Sequence, residues 1–526
     1  MASCRIFTQR PLKIQDVLLH FRQGYATSAA HQPEPADPRP PEVAAQDRTA
    51  NNPTSLSPQN DPQLFRGILG RAGVKVAVPV GNQYKPDPLL RQQLTAENQY
   101  EVLAQTMTPL SHIPYEDQLK FKWERNKKLV VNISRTLSKH IPMLYVDQDG
   151  LMCPVDPVVP SPLLTHFRNK DEFSVSTGID GYSRRVGFYV GRSREGNVVC
   201  VAPRELINMK PSHRLLGEMF EKFLEMSPYD SCRQGPAGFV GHWKSITARS
   251  NRAGDLMASV IIHPQSLSAE ELTTEKNRLV EFFVNGPGKE CNLKSLYFQE
   301  CRHSQCPPLL APYQLLYGES HLYEHIGKLK FRISPSAFFQ LNTEAAEKLY
   351  EKIAEVIKPD LNSVLMDVCC GTGTIGLSLA KRFDKVLGVE QDLVAVDDAN
   401  YNAKANEIRN ADFYCDAAEK AIPRLLKRKE FTYTNVSAVV NPSRSGLSVK
   451  VINALRKTPQ VDRVIYVSCM PIGNAMRNIL DLCLPTERAL PGENFFPVRA
   501  VPVDLFPHTD HCELIVVLER NRVYYV

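Results

Sequence analysis

The sequence predicts an α/β protein whose C-terminal part is an open, mostly parallel sheet, preceded by an α+β region and an N-terminal leader. Three observations carry this. From about residue 345, short apolar segments alternate with helix-compatible ones, the pattern of strands buried on both faces. A glycine-rich stretch, Gly371-Thr372-Gly373-Thr374-Ile375-Gly376, leaves the first of these segments and opens the next helix, as the ligand loop of a Rossmann-like sheet does. Between about 160 and 330, short apolar-rich runs separated by turn residues give an antiparallel rhythm instead. The 526 residues, 43% hydrophobic and 23% charged, can support more than one globular core. A net charge of +6 permits a nucleic-acid partner without demanding one. No uncharged apolar run reaches the roughly 18 residues of a membrane span, so no membrane partner is expected.

The first 30 residues read as a mitochondrial transit peptide, which places the mature chain in the matrix. Arg5, Arg10, Lys13 and Arg22 stand against one acid, Asp16, and Ile14, Val17, Leu18 and Phe21 form one apolar stripe. Residues 31–65 read as a disordered linker, with eight prolines between His31 and Gln63. Residues 66–160 form a mainly helical region. Within it, Lys120, Lys122, Arg125, Lys127, Lys128, Arg135 and Lys139 lie on a helix over 117–139, with Leu119, Trp123, Val130 and Ile133 on its apolar side. Such a helix either faces phosphates or presents a solvated surface. Residues 161–340 form the α+β unit, with strands at Val186–Val190 and Ala258–Ile262. Its segment Phe167–Phe173 offers Arg168, Asn169 and Lys170 as candidate phosphate contacts.

Residues 341–526 form the Rossmann-like domain, with strands predicted at Val364–Val368, Lys385–Glu390, Ala438–Asn441, Arg463–Ser468 and Cys512–Glu519. Ligands of such sheets sit beyond the carboxyl ends of the strands. Asp367 precedes the glycine loop, in which Gly371 and Gly373 let backbone approach a ligand. Glu390 ends the next strand 23 residues later and suits a ribose diol, while Asp416 can reach an adenine amine. A dinucleotide would place its pyrophosphate on this helix N-terminus. Asp367 would repel it and suits a cofactor with a cationic amine, which favours S-adenosyl-L-methionine.

The 13 cysteines contain no C-x-x-C pair, and no disulfide framework is expected. Cys291, Cys301 and Cys306 are close enough in sequence to suggest a metal site, but read better as small buried groups or surface thiols, so no metal is expected. Cys469 differs, standing directly after a predicted central strand in Ser468-Cys469-Met470-Pro471. Glu513 sits at the start of the last strand. A thiolate and a base near a methyl-donor loop suit methylation of pyrimidine carbon 5: the thiolate adds at carbon 6, carbon 5 becomes nucleophilic, and the base removes its proton.

Five blocks together resemble the uridine-C5 RNA methyltransferases, a family that includes tRNA T-loop and ribosomal RNA enzymes. They are Phe331–Asn342, Asp367–Gly373 with Glu390, Asn441-Pro442-Ser443-Arg444-Ser445-Gly446-Leu447, Tyr466–Pro471 and His508–Glu513. The resemblance spans about 110–520. It implies Cys469 as nucleophile, Glu513 as proton acceptor, and Gln340 against cofactor or uracil. Asn441 stands where the family has an acid beside the target base, and is counted with the cofactor-site residues. Asn441, Ser443 and Met470 depart from the pattern. The substrate implied is uridine 54 of the T-loop of mitochondrial tRNA, with mitochondrial small-subunit ribosomal RNA as a second target. The rival is an RNA-binding chaperone without activity, which should have lost Cys469 or Glu513.

Overall fold

The computed structural model describes residues 94–520, apart from residue 143 and the stretches 192–197, 236–237, 304–305, 307–309, 360–362 and 432–434. The leader at 1–30, the linker at 31–65 and the first part of the 66–160 region lie outside the described residues.

Helices α1 (Gln99–Met107) and α2 (Tyr115–Leu137) come first. A mixed sheet follows from β1 (Lys170–Ser176), β2 (Arg185–Val190) and β3 (Val199–Val201), then α3 (Pro211–Met226) and the small hairpin β4 (Arg233–Gly235) and β5 (Gly238–Val240). β6 (Trp243–Ser250), β7 (Leu256–Ile262), α4 (Ala269–Val280), β8 (Leu293–Glu300) and β9 (Tyr313–Gly318) complete it in the order β3-β2-β1-β6-β7-β8-β9. Only the β7–β8 pair is parallel, because α4 crosses between them. Phe173, Ile246, Ala248, Val260 and Phe298 bury one face of this sheet against Leu216, Phe220 and Phe223 of α3. The hairpin β10 (Leu322–Ile326) and β11 (Leu329–Ile333) leads out of the unit.

The C-terminal unit runs α5 (Thr343–Ile357), β12 (Ser363–Val368), α6 (Thr374–Leu379), β13 (Lys385–Glu390), α7 (Leu393–Ala405), β14 (Ala411–Cys415) and α8 (Ala418–Leu426). It continues through β15 (Asn435–Val440), α9 (Val449–Lys457), β16 (Val461–Ser468), α10 (Asn474–Cys483), β17 (Phe495–Val503) and β18 (Glu513–Arg520). The sheet order is β14-β13-β12-β15-β16-β18-β17, parallel from β14 to β16, with β18 antiparallel to both neighbours. Alternate side chains serve opposite layers, as strands buried on both faces require. Val364, Met366 and Val368 pack with α8, α9 and α10, whereas Leu365 packs with α5, α6 and α7.

The basic helix departs from expectation. α2 packs in the layer of α8–α10 through Leu129, Val130, Ile133 and Leu137, and its buried face also carries Gln118, Lys122 and Asn126. Lys122 is 0% exposed; its ammonium donates to Asp504 at 2.6 Å and to the Phe506 carbonyl at 2.9 Å. Arg125 pairs with Asp510 and Lys127 with Asp149. Only Lys122 is withdrawn into the protein; Lys120, Arg125, Lys128, Arg135 and Lys139 are exposed, so most of the helix's charge faces solvent. A second departure concerns Arg168 and Asn169. Arg168 pairs with Asp171 at 2.6 Å, and buried Asn169 donates to the Gln340 carbonyl and to Thr343, joining the two units.

Cys301 and Cys306 form a disulfide, where the sequence predicts small buried groups or thiols. Their Cα atoms lie 5.6 Å apart, within bonding range. Cys291 is a buried free thiol. Among the described residues no cluster of three or more His, Cys, Asp or Glu side chains could hold a metal ion, and no helix is long and apolar enough to cross a membrane.

Lys122→Met leaves Asp504 buried without its cation. We expect a loss of about 3–5 kcal/mol, as for other broken buried pairs, seen as a lowered thermal midpoint. An unchanged midpoint would show that the Tyr115 hydroxyl, 2.9 Å from Asp504, suffices.

Candidate active site

Most of the sequence-derived candidates come together at the carboxyl edge of the C-terminal sheet. Beyond Val368 the chain turns through positive φ at Cys369 (61°), Gly371 (53°) and Gly373 (79°). The glycines serve different ends. A Cβ on Gly373 would lie 2.8 Å from the Phe413 ring, whereas one on Gly371 would meet nothing within 4 Å, so the open side of the loop is at Gly371. Asp367 lies beneath the loop, fully buried. One carboxylate oxygen accepts the Gly376 N–H at 2.8 Å and the other has no partner. Burial raises its pKa to about 7, with Glu390 pushing the same way against the Gly376 hydrogen bond.

Glu390 ends β13 and accepts the Gly371 N–H at 3.2 Å and those of Gln391 and Asp392. Asp416 follows β14; its N–H donates to the Glu390 carbonyl, and its carboxylate pairs with Arg424 at 2.7 Å. Asn441 follows β15, and its N–H reaches the Val368 carbonyl at 3.3 Å. Gln340 is buried ahead of α5, its carbonyl held by Asn169. Asp398 and Asn402, which no sequence signal singles out, share a face of α7. Asp398 accepts from Arg332 and from the Ser334 N–H, while Asn402 binds the Arg332 backbone and the Thr372 carbonyl. They tie the Phe331–Asn342 segment to the glycine loop.

Cys469 and Glu513 are brought together by strand register. Ser468 on β16 pairs with Leu514 on β18, so one step further along the antiparallel ladder Cys469 faces Glu513. Glu513 is 2% exposed, and one of its oxygens has no partner. Burial raises its pKa to about 8. The half-buried Cys469 thiol is also raised, by burial first and then by Glu513, while Arg444 opposes the shift. In the sequence Arg444 stands only as one residue of the Asn441–Leu447 block. Its cationic group, in the loop after β15, is what made it a discoverable partner for a thiolate. Tyr350 of α5 links the two halves of the site. Its hydroxyl lies 3.2 Å from Thr374 of the loop, and burial, Asp367 and Glu513 all raise its pKa.

The segment bearing Glu513 is held by α2. Gln118 accepts the His508 N–H at 2.8 Å and lies 3.1 Å from the His508 ring; Lys122 grips Asp504 and Phe506, and Arg125 grips Asp510.

The fold is that of the S-adenosylmethionine-dependent methyltransferases. The structure of Pyrococcus abyssi tRNA (uracil-54, C5)-methyltransferase in complex with S-adenosyl-L-homocysteine matches with a TM-score of 0.53 at 21% identity, covering 78% of this chain and 84% of that one. The tRNA (Uracil-5-)-methyltransferase family model matches residues 319–521. The tRNA (uracil-5-)-methyltransferase homolog B of Danio rerio is 45% identical over 80% of this chain and 87% of its own length. The Homo sapiens homolog B is 44% identical over 80% and 84%, and the Mus musculus homolog A 40% over 83% and 72%. The chain belongs to the tRNA (uracil-5-)-methyltransferase family.

The raised carboxyls set a pH dependence of stability. Glu513 and Asp367 bind protons more tightly folded than unfolded, so their stabilising contribution is complete below about 4. It is lost as pH rises through about 7 and 8. Glu513→Gln removes one of these titrations. Its thermal midpoint should exceed that of the parent protein at pH 9 and match it near pH 4. Equal differences at both pH values would place the Glu513 pKa near its ordinary value.

Proposed function

We propose that this chain is a mitochondrial methyltransferase that forms 5-methyluridine at position 54 of the tRNA T-loop, using S-adenosyl-L-methionine. The observation carrying this reading is Cys469 facing a buried Glu513 across adjacent strands, beside the glycine loop. The loop residues fit the cofactor. Asp367 keeps a free buried acceptor for its cationic amine, Glu390 offers a carboxylate for the ribose, Gly371 leaves open space, and Asp416 lies at the adenine end. When bound there, S-adenosyl-L-methionine supplies an electrophilic methyl group on a sulfonium.

The chain's own residues do the rest. Cys469 adds as thiolate to carbon 6 of uracil and makes carbon 5 nucleophilic. Its raised thiol means that the thiolate must be favoured in the complex, and Arg444 is the cation beside it. After carbon 5 is methylated, Glu513 takes the proton from that carbon, and Cys469 leaves carbon 6 to restore the ring. A carboxyl with a pKa near 8 is a much stronger base than an ordinary glutamate, and its burial keeps bulk water from the reacting face. Asn441 can both donate and accept at a uracil edge where an aspartate would only accept, and the family resemblance gives Gln340 a place against cofactor or uracil. The target base must leave its stack to reach Cys469.

Cys469→Ala should abolish methyl transfer while retaining S-adenosyl-L-homocysteine binding. Glu513→Gln should transfer the methyl once and accumulate an RNA–protein adduct that survives denaturation. Methylation by Cys469→Ala would sink the mechanism, and a Glu513→Gln enzyme that turns over without adduct would move the base elsewhere.

The basic, acid-poor leader supports matrix import. Mass-spectrometric mapping of 5-methyluridine in mitochondrial RNA, with and without the protein, tests substrate and location together. Loss at tRNA position 54 is expected. Further loss in small-subunit ribosomal RNA would add that substrate, and no loss would favour RNA binding without catalysis.

A further inference from the structure

The first sheet has one face on α3 and α4 and another turned away from them. Asp171 points to the helices, where its carboxylate meets His213 of α3 at 2.8 Å. Lys170, the preceding residue, therefore projects from the opposite face. Its cross-strand partner on β6 is Arg249, which alternates with the core residue Ala248 and shares that face.

Neither cation is held in a direct ion pair; the carboxylates that favour them, Glu172 for Lys170 and Asp398 for Arg249, act only from a distance. Arg249 is 5% exposed; one guanidinium nitrogen donates to the Ala337 carbonyl at 2.7 Å, while another is buried without an acceptor. Among the described residues, no carboxylate forms an ion pair with Lys170 or Arg249. Asp171 is taken by Arg168 and His213, and Glu172, two residues along the same face as Lys170, is exposed and pairs with neither. Burial lowers the Lys170 pKa to about 8; Arg249 and Arg168 act the same way, and Glu172 only partly opposes them. A buried guanidinium arm rarely goes unpaired, and setting it beside a half-buried ammonium with no directly bound anion is costly.

The location supplies the anion. Ala337 lies three residues before Gln340, and Asn169, next to Lys170, holds the Gln340 carbonyl. The pair thus borders the segment that leads to the candidate active site. We propose that Lys170 and Arg249 together bind one phosphate of the substrate RNA backbone and fix the strand as the target base turns toward Cys469. This rests on the RNA-methyltransferase reading. A guanidinium arm beside an ammonium matches a phosphate's several acceptor oxygens, and such contacts position RNA without reading its sequence.

The test is tRNA affinity across a salt series with the full-length protein, comparing Lys170→Met, Lys170→Arg and Arg249→Met. Removing one phosphate contact should weaken binding several-fold and flatten the slope of log affinity against log salt by about 0.7–1. Lys170→Arg should restore both, with S-adenosyl-L-homocysteine binding and the thermal midpoint unchanged in the Lys170 variants. Arg249→Met also loses the Ala337 hydrogen bond and can unfold the protein, so Lys170→Met decides. Wild-type affinity and slope in Lys170→Met, with tRNA still bound and methylated, overturn the phosphate site alone. A wild-type protein that neither binds nor methylates tRNA overturns the site together with the functional reading.

Discussion

The chemistry of this fold hangs on β18 entering the sheet between β16 and β17, running against both. A parallel strand would leave the carboxyl edge with its far end, so only an antiparallel one can begin beside the residue that follows β16. That is how the first residue of β18, Glu513, comes to face Cys469. A shift of one residue would turn Glu513 to the other side of the sheet. The register is held by six consecutive pairs with β16 and by the pairing of β17 along the other edge. Apolar side chains on both faces make any slip expensive.

The same arrangement explains why a helix near the beginning of the folded chain carries buried polar groups. The loop from Asp504 to Cys512 must cross the sheet edge to deliver Glu513, and its polar groups need partners once it is covered. Gln118, Lys122 and Arg125 of α2 supply them. A buried ion pair adds little stability compared with an apolar substitute. What it gives here is position: Lys122 fits only where Asp504 and the Phe506 carbonyl converge. Asp398 and Asn402 do the same for the opposite wall, binding the segment before α5 to the glycine loop.

Much of the catalytic unit was legible because its elements have strong local signatures. β12, β13, β15 and β16 are short apolar runs, the glycine loop opens α6, and the residues after these strands are the chemical ones. β13 falls where expected, while β12, β15 and β16 begin one to three residues earlier and β15 ends one earlier, as hydrophobicity says where a strand is buried but not where pairing stops. The sequence leaves the basic helix open between a phosphate-facing and a solvated surface, and the exposed Lys120, Arg125, Lys128, Arg135 and Lys139 suit either; only tertiary contact with Asp504 turns Lys122 inward. Trp123, placed on the apolar side, is half-buried, while polar Asn126 is buried. Asn169 looked like a phosphate ligand by composition alone. The Cys301–Cys306 pair was missed because two cysteines five apart reveal a bond only when the loop's return is known. Asp398 and Asn402 have no signature apart from their four-residue spacing.

The contact between Lys122 and Asp504 joins residues 382 positions apart. A chain made from its N-terminus therefore presents α2 long before its partners exist. The helix must wait, its lysine in water, for almost the whole of the folded region to be synthesised. Glu513 arrives with the last strand, so a form ending between Cys469 and Glu513 has the glycine loop and the thiol but not the buried carboxylate that faces it. On the proposed mechanism, a chain that stops short of its last strand could hold substrate and cofactor residues yet not complete the reaction.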